Sequence, residues 1–186
     1  MNGQERIALT MRHREPDRVP VMCQLAFGHY CLNTDYAPHE LWYTSEAMAD
    51  AFIQMQRRYR FDGILINIPG RPDRYLDLID KIEKNEDGEL ITWKNGDVTF
   101  NPWDDNPYLV SIAGSRPDRV DFSSFDPEHM EDLDDYYGYL WNTSHIQSQP
   151  GKIDKDVLHT VPDYYYKVID LVKAGVGAEV SIHGEV

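Results

Sequence analysis

The sequence predicts an α/β fold: a parallel sheet of helix-linked apolar strands, with a small antiparallel β insertion beside it. Three observations lead there. Arg14-Glu15-Pro16-Asp17-Arg18-Val19-Pro20 is a polar, proline-bearing turn that runs straight into the apolar stretch Val21-Met22-Cys23. A second short apolar run, Ile64 to Ile68, follows a helix-length amphipathic segment. Between Lys81 and Asn101 helical spacing gives way to Asp87-Gly88 and Asn95-Gly96, both hairpin turn signals.

In chain order, Asn2 is a suitable N-cap for a helix from Gly3 to about His13, with Ile7, Ala8 and Met11 on one face. Proline disfavours helix in the residue before it, so Glu15 and Val19 are pushed toward extended geometry. A strand is expected from Val19 to Leu25, covered on both faces because its apolar run is nearly continuous. A loop with Gly28, His29, Tyr30, Asn33 and Asp35 follows. Ser45 can cap a helix to about Arg60, whose stripe is Met48, Phe52, Met55 and Tyr59. Phe61-Asp62-Gly63 ends it, and Ile64 to Ile68 is the second strand, completing a parallel crossover unit.

Residues 79–101 then read as the antiparallel insertion and 102–150 as an irregular acidic segment, all within one α/β domain spanning 1–186. Asp126-Pro127 opens a short helix to about Leu140, and Glu131 to Asp135 is a solvated run. Lys152 to His159 is a further short helix. Thr160 with Pro162 opens one ending at Gly175, with Tyr165, Val168, Ile169 and Val172 inward, and Glu179 to Ile182 is a third strand.

With 186 residues, the chain is long enough for one sizeable core. A net charge of −14 argues against binding a phosphate backbone. No run approaches the ~18 apolar residues of a membrane span. Two cysteines, Cys23 and Cys31, fit a reduced, cytoplasmic setting better than a disulfide framework. Three parallel strands do not close a barrel, which usually takes about 250 residues. The third strand is also left with an open edge. The expectation is the amino-terminal part of a larger enzyme. The alternative is a small α/β domain whose edge is covered by its own insertion or by a partner chain.

Arg12-His13-Arg14-Glu15-Pro16-Asp17-Arg18-Val19-Pro20-Val21, then Gly28-His29-Tyr30, then Tyr59-Arg60-Phe61-Asp62-Gly63 before a strand, together resemble the uroporphyrinogen decarboxylase superfamily. That group includes cobalamin-dependent methyltransferases. The closing Val180-Ser181-Ile182-His183-Gly184-Glu185 resembles its third-strand region. The resemblance implies an eight-fold β/α (TIM) barrel, here a partial one with its first strands only, and a site at the carboxyl ends of the strands. Decarboxylases of this family follow the first strand with Arg-Gln and then Gly-Arg-Tyr, whose arginines grip the acetate and propionate arms of the porphyrinogen. Here Leu25-Ala26 and Gly28-His29-Tyr30 stand there. Their aspartate near the second strand's tip is matched by Pro69, with Asn67 nearby.

These departures favour the methyl-transfer side, where zinc activates a thiol and a corrinoid protein donates the methyl group. The zinc ligands implied lie beyond this chain, so no cofactor is expected to be held by it alone. Uroporphyrinogen decarboxylation in porphyrin biosynthesis is one alternative. A catalytically inactive, partner-binding half-barrel that self-associates through its open sheet edge is the other.

His29, Tyr30, Asn67 and Arg71 are the candidate substrate contacts, because carboxyl-end loops carry function in this fold. His183 is the candidate general acid or base. Each has a plainer reading: a surface histidine, a packed tyrosine, an amide satisfied by backbone, a solvated turn shared with Asp73 and Arg74, and an ordinary ring at a strand end. Glu185 could simply be solvent-exposed. His29-Tyr30-Cys31 with Cys23 imitates zinc spacing, but thiols near a strand are usually core.

Overall fold

The computed structural model describes residues 1–68, 70–111 and 163–184. The short helices expected at 126–140 and 152–159, the cap at Thr160, and Pro69 and Glu185 lie outside them. The chain divides into two compact units, one built on 1–73, Trp103–Asp105 and the carboxyl-terminal segment, the other on 74–102 and the residues from Asn106.

In the first unit, helix α1 (Gly3–Met11) begins at a reciprocal capping box. Asn2 Oδ1 accepts from the Glu5 amide, and the Glu5 carboxylate accepts from the Asn2 amide. It ends at Arg12, and His13 takes a left-handed φ of 55°. Strand β1 is only Met22–Cys23. The longer, doubly covered strand expected from Val19 to Leu25 is not formed: Val19 is 81% exposed and Val21 47%. Apolar continuity marked a strand with one neighbour, not a buried one.

The loop expected after β1 contains two helices, α2 (Phe27–Asn33) and α3 (Pro38–Tyr43). Proline at the first position of α3 and the Glu40 carboxylate accepting from the Ala37 amide start it. Gly28 is needed in α2, since a Cβ there would strike the backbone of Asp104. Helix α4 (Ser45–Tyr59) is capped by Thr44, one residue earlier than expected, and buries Met48, Phe52 and Met55. Strand β2 (Gly63–Ile66) follows.

Later, a 3-10 turn at Asp163–Tyr166 leads into helix α5 (Lys167–Val176), where Val168 and Val172 are fully buried. A second 3-10 turn takes Gly177–Glu179, so the last strand of this unit is Ser181–Gly184, two residues later than expected. Called β7, it pairs parallel with β2, and β2 pairs parallel with β1. The sheet order is β1-β2-β7.

The second unit is an antiparallel sheet of β3 (Ile79–Lys84), β4 (Gly88–Trp93), β5 (Val98–Pro102) and β6 (Tyr108–Ser111), in chain order. Ile91 and Trp93 are its buried face, and Trp93 Nε1 donates to Thr99 Oγ1 at 3.0 Å. Gly96 supplies the left-handed φ of 93° for the second turn. The sheet reaches one strand past the expected limit, because Tyr108–Ser111 pairs with β5. Among the described residues the architecture is therefore mixed α/β, with one parallel and one antiparallel sheet and no closed barrel.

Two segments that carry the family resemblance meet at Asp62. Its buried carboxylate accepts from Arg18 Nη1 (2.7 Å) and Nη2 (2.8 Å), Arg6 Nη1 (2.9 Å) and the Val21 amide (2.9 Å). Arg6 also holds Asp17 through Nε (2.6 Å) and Nη2 (3.0 Å). This network bolts α1 and the opening turn to the start of β2. Burial opposes ionisation of Asp62, but the Val21 amide and the two guanidiniums outweigh it and hold the carboxyl below its usual range. Hydrogen bonding to Arg6 lowers Asp17 from 3.8 to about 2.

Carboxyls with depressed folded-state values stabilise the fold above their unfolded value and lose that contribution as pH falls through the folded one. Melting temperature followed by circular dichroism is therefore expected to drop steeply as pH falls from 3.8 toward about 2. Asp62→Asn should flatten that acid limb; an unchanged limb in this variant would remove the network as its cause.

Candidate functional site

In a parallel pair, residues in register point to the same face, and the face alternates along each strand. Ile64 pairs with Ile182 and Leu65 with His183. Ile64 and Ile66 are buried, at 3% and 2% exposure. Leu65, Asn67, Ser181 and His183 belong to the other face and are half-buried. The amino end of that second face is covered by α1: a Cβ on Gly63 would meet Ile7 Cδ1 at 2.8 Å and Met22 Sδ at 3.1 Å. Further along, toward the carboxyl ends of the strands, the polar side chains begin.

Asn67 is the first residue past β2. Its Oδ1 is buried and accepts no hydrogen bond among the described residues. A buried acceptor without a donor costs about 1–3 kcal/mol, so this oxygen is suited to a ligand N–H or O–H or to an ordered water. His183 lies inside β7 rather than at its end. Its Nε2 is 2.9 Å from Ser181 Oγ, a contact made possible by the two-residue spacing that puts both on one face. This serine was legible as an i, i+2 partner but was not singled out. Together Asn67 and His183 offer an acceptor and a proton-transfer group at neighbouring strand tips, with Ser181 orienting the imidazole.

The other expected contacts are committed elsewhere. His29 Nε2 is 2.9 Å from the Tyr59 hydroxyl. Arg71 is fastened to Ser45: its amide donates to Ser45 Oγ at 2.7 Å. Ser45 and Tyr59 are the first and last residues of α4, roughly 21 Å apart at 1.5 Å per residue. His29 and Arg71 are therefore anchored at opposite ends of one helix. The Arg71 side chain is 2% exposed, donates from Nε to the Trp42 carbonyl at 2.8 Å and lies 5.5 Å over the Trp42 ring. Asp73 is bound by Lys167 Nζ at 2.6 Å, and Arg74 pairs with Asp77.

Tyr30 is 1% exposed and packs edge-on against Phe52, and burial, with a smaller contribution from Cys23, pushes its phenol above the ordinary value. Cys23 and Cys31 form no disulfide among the described residues and are half-buried. Among the described residues no three His, Cys, Asp or Glu side chains gather as a metal-holding group, and no helix is long and apolar enough to cross a membrane. No protein-family model, curated protein or solved structure matches the chain.

Proposed function

We propose that the chain carries the opening β/α units of a barrel enzyme of the uroporphyrinogen decarboxylase type, on its methyl-transfer side. The observation that carries this reading is an unpartnered buried Asn67 oxygen, two residues beyond the Leu65–His183 pair and on the same face of parallel strands that pair in chain order. Chain-order parallel pairing is what a partial barrel requires, and its chemistry belongs at the carboxyl ends. Asn67 would accept a hydrogen bond from the substrate, and His183, held by Ser181, would give or take a proton. A zinc ion, where the residues for it are present, supplies an activated thiolate. The residues described here do not make such a set, so no step is assigned to it. A corrinoid protein is the methyl-donor partner this reading implies.

The chain alone is expected to be inactive, so the test is an anaerobic assay, with methylcobalamin and a thiol, of this chain within an intact barrel that supplies the zinc ligands. The expected result is methyl transfer that falls about tenfold in Asn67→Ala, the loss of one hydrogen bond of about 1.4 kcal/mol. Decarboxylation of uroporphyrinogen in place of methyl transfer would move the protein to the other branch. Absence of both activities would overturn an enzymatic reading. The partner-binding alternative draws on the exposed apolar residues Val19 and Val21 before β1 and Met22 within it, a strand that among the described residues pairs with β2 alone. It expects concentration-dependent self-association in sedimentation, which Val21→Lys should abolish.

A further inference from the structure

A recess of about 220 Å³ opens where α1 begins and α4 ends. Four arginines line it, Arg6, Arg18, Arg57 and Arg60, against two carboxylates, Asp62 and Glu179. Two of the four are already neutralised. Arg6 and Arg18 are matched by Asp62 and, just outside the recess, Asp17. Arg57 spends one Nη2–H on the Gly175 carbonyl, at 3.3 Å. The Arg60 amide closes α4 on the Gln56 carbonyl, but its guanidinium forms no hydrogen bond or ion pair among the described residues. A guanidinium has five donors in a planar fork that matches phosphate and carboxylate oxygens.

The backbone adds a second, independent observation. Arg60 ends α4 with φ 57° and ψ 42°, the left-handed cap that helices usually give to glycine. A glycine would relieve that strain. The chain instead carries a long cation there, aimed into a recess. Backbone strain held at one position is a reason to look for function.

We propose that this recess binds a compact oxyanion, the phosphate or carboxylate end of a small metabolite, with Arg60 and Arg57 as its principal donors. The outer edge of Arg18, whose side chain is 48% exposed, completes the cradle. The volume is below the roughly 300–1,000 Å³ of a site that engulfs a whole drug-sized ligand, so it takes the charged end only. In a chain of net charge −14 this is a local excess of positive charge, and it would concentrate anions that the rest of the surface repels. Glu179, which also lines the recess, sets the selectivity limit: it repels the anion and keeps affinity modest. The proposal is independent of the strand-tip chemistry above.

The test follows melting temperature against inorganic phosphate and, separately, acetate, with sodium chloride at matched ionic strength as reference. A saturable rise beyond chloride is expected, larger for whichever oxyanion the site prefers. Arg60→Gly should melt higher than the parent without ligand, yet bind at least tenfold more weakly. Arg57→Gln should also weaken binding, and Glu179→Gln should tighten it. A response equal to that of chloride, or full affinity in Arg60→Gly, would overturn the proposal.

Discussion

Asp62→Asn is expected to cost about 2–4 kcal/mol of folding stability, below the 3–5 kcal/mol of a fully buried broken pair. The discount reflects Arg18, whose side chain is 48% exposed and keeps access to water. The Asp62 side chain itself is 2% exposed, and both of its oxygens are used. An asparagine retains one acceptor oxygen and puts an NH2 donor where the other stood. That donor faces Arg18 or the Val21 amide, which are also donors, and Arg18 loses its counter-charge beside Arg6, which keeps Asp17. The loss is read from urea denaturation. A double-mutant cycle with Arg18→Ala separates the pair from the rest, because groups in one network do not add. A change under about 0.5 kcal/mol, the range of an ordinary surface substitution, would mean the network does not hold the fold together.

This network shows where sequence reading reaches and where it stops. The N-cap at Asn2, the stripe of α4 apart from the exposed Tyr59, and the turns around Gly88 and Gly96 were legible because each is local: its cause lies within a few residues of its effect. The Arg18–Asp62 pair joins residues 44 apart, and spacing alone says nothing of it. Charge was equally silent about Arg71, since an arginine after a strand reads as a solvated turn unless the Trp42 carbonyl that receives it is known. The candidate site divides the same way. Asn67 follows β2 and His183 pairs with Leu65, so parallel register puts both toward the carboxyl ends of their strands. The helices α2 and α3 were missed because they are short and lack a repeating apolar stripe, so Tyr30 was read on a loop when it is core. For β1 the apolar run from Val19 to Leu25 was read as a long buried strand, whereas only Met22–Cys23 pairs, because pairing and exposure depend on neighbours that no single segment encodes.

Arg71→Ala is expected to destabilise the protein by about 3 kcal/mol, combining a lost buried hydrogen bond, a lost ring contact and a cavity. Arg71 is among the largest fully buried side chains. Its backbone would remain fastened, because Ser45 Oγ bonds the amide and the carbonyl of residue 71 whatever the side chain. The guanidinium's own work is to satisfy the Trp42 carbonyl and to cover the Trp42 ring. Lysine cannot replace it: an ammonium lacks the planar face that lies on the indole and the guanidinium's fixed fork of donors. Arg71→Lys should therefore recover little of the loss, and the near-ultraviolet dichroism of the tryptophans should change in both variants. A residue reserved for substrate would behave in the opposite way, keeping its stability as alanine and losing only ligand affinity. Denaturation of Arg71→Ala thus decides between the two roles, and equal stability of variant and parent would return Arg71 to the list of substrate contacts.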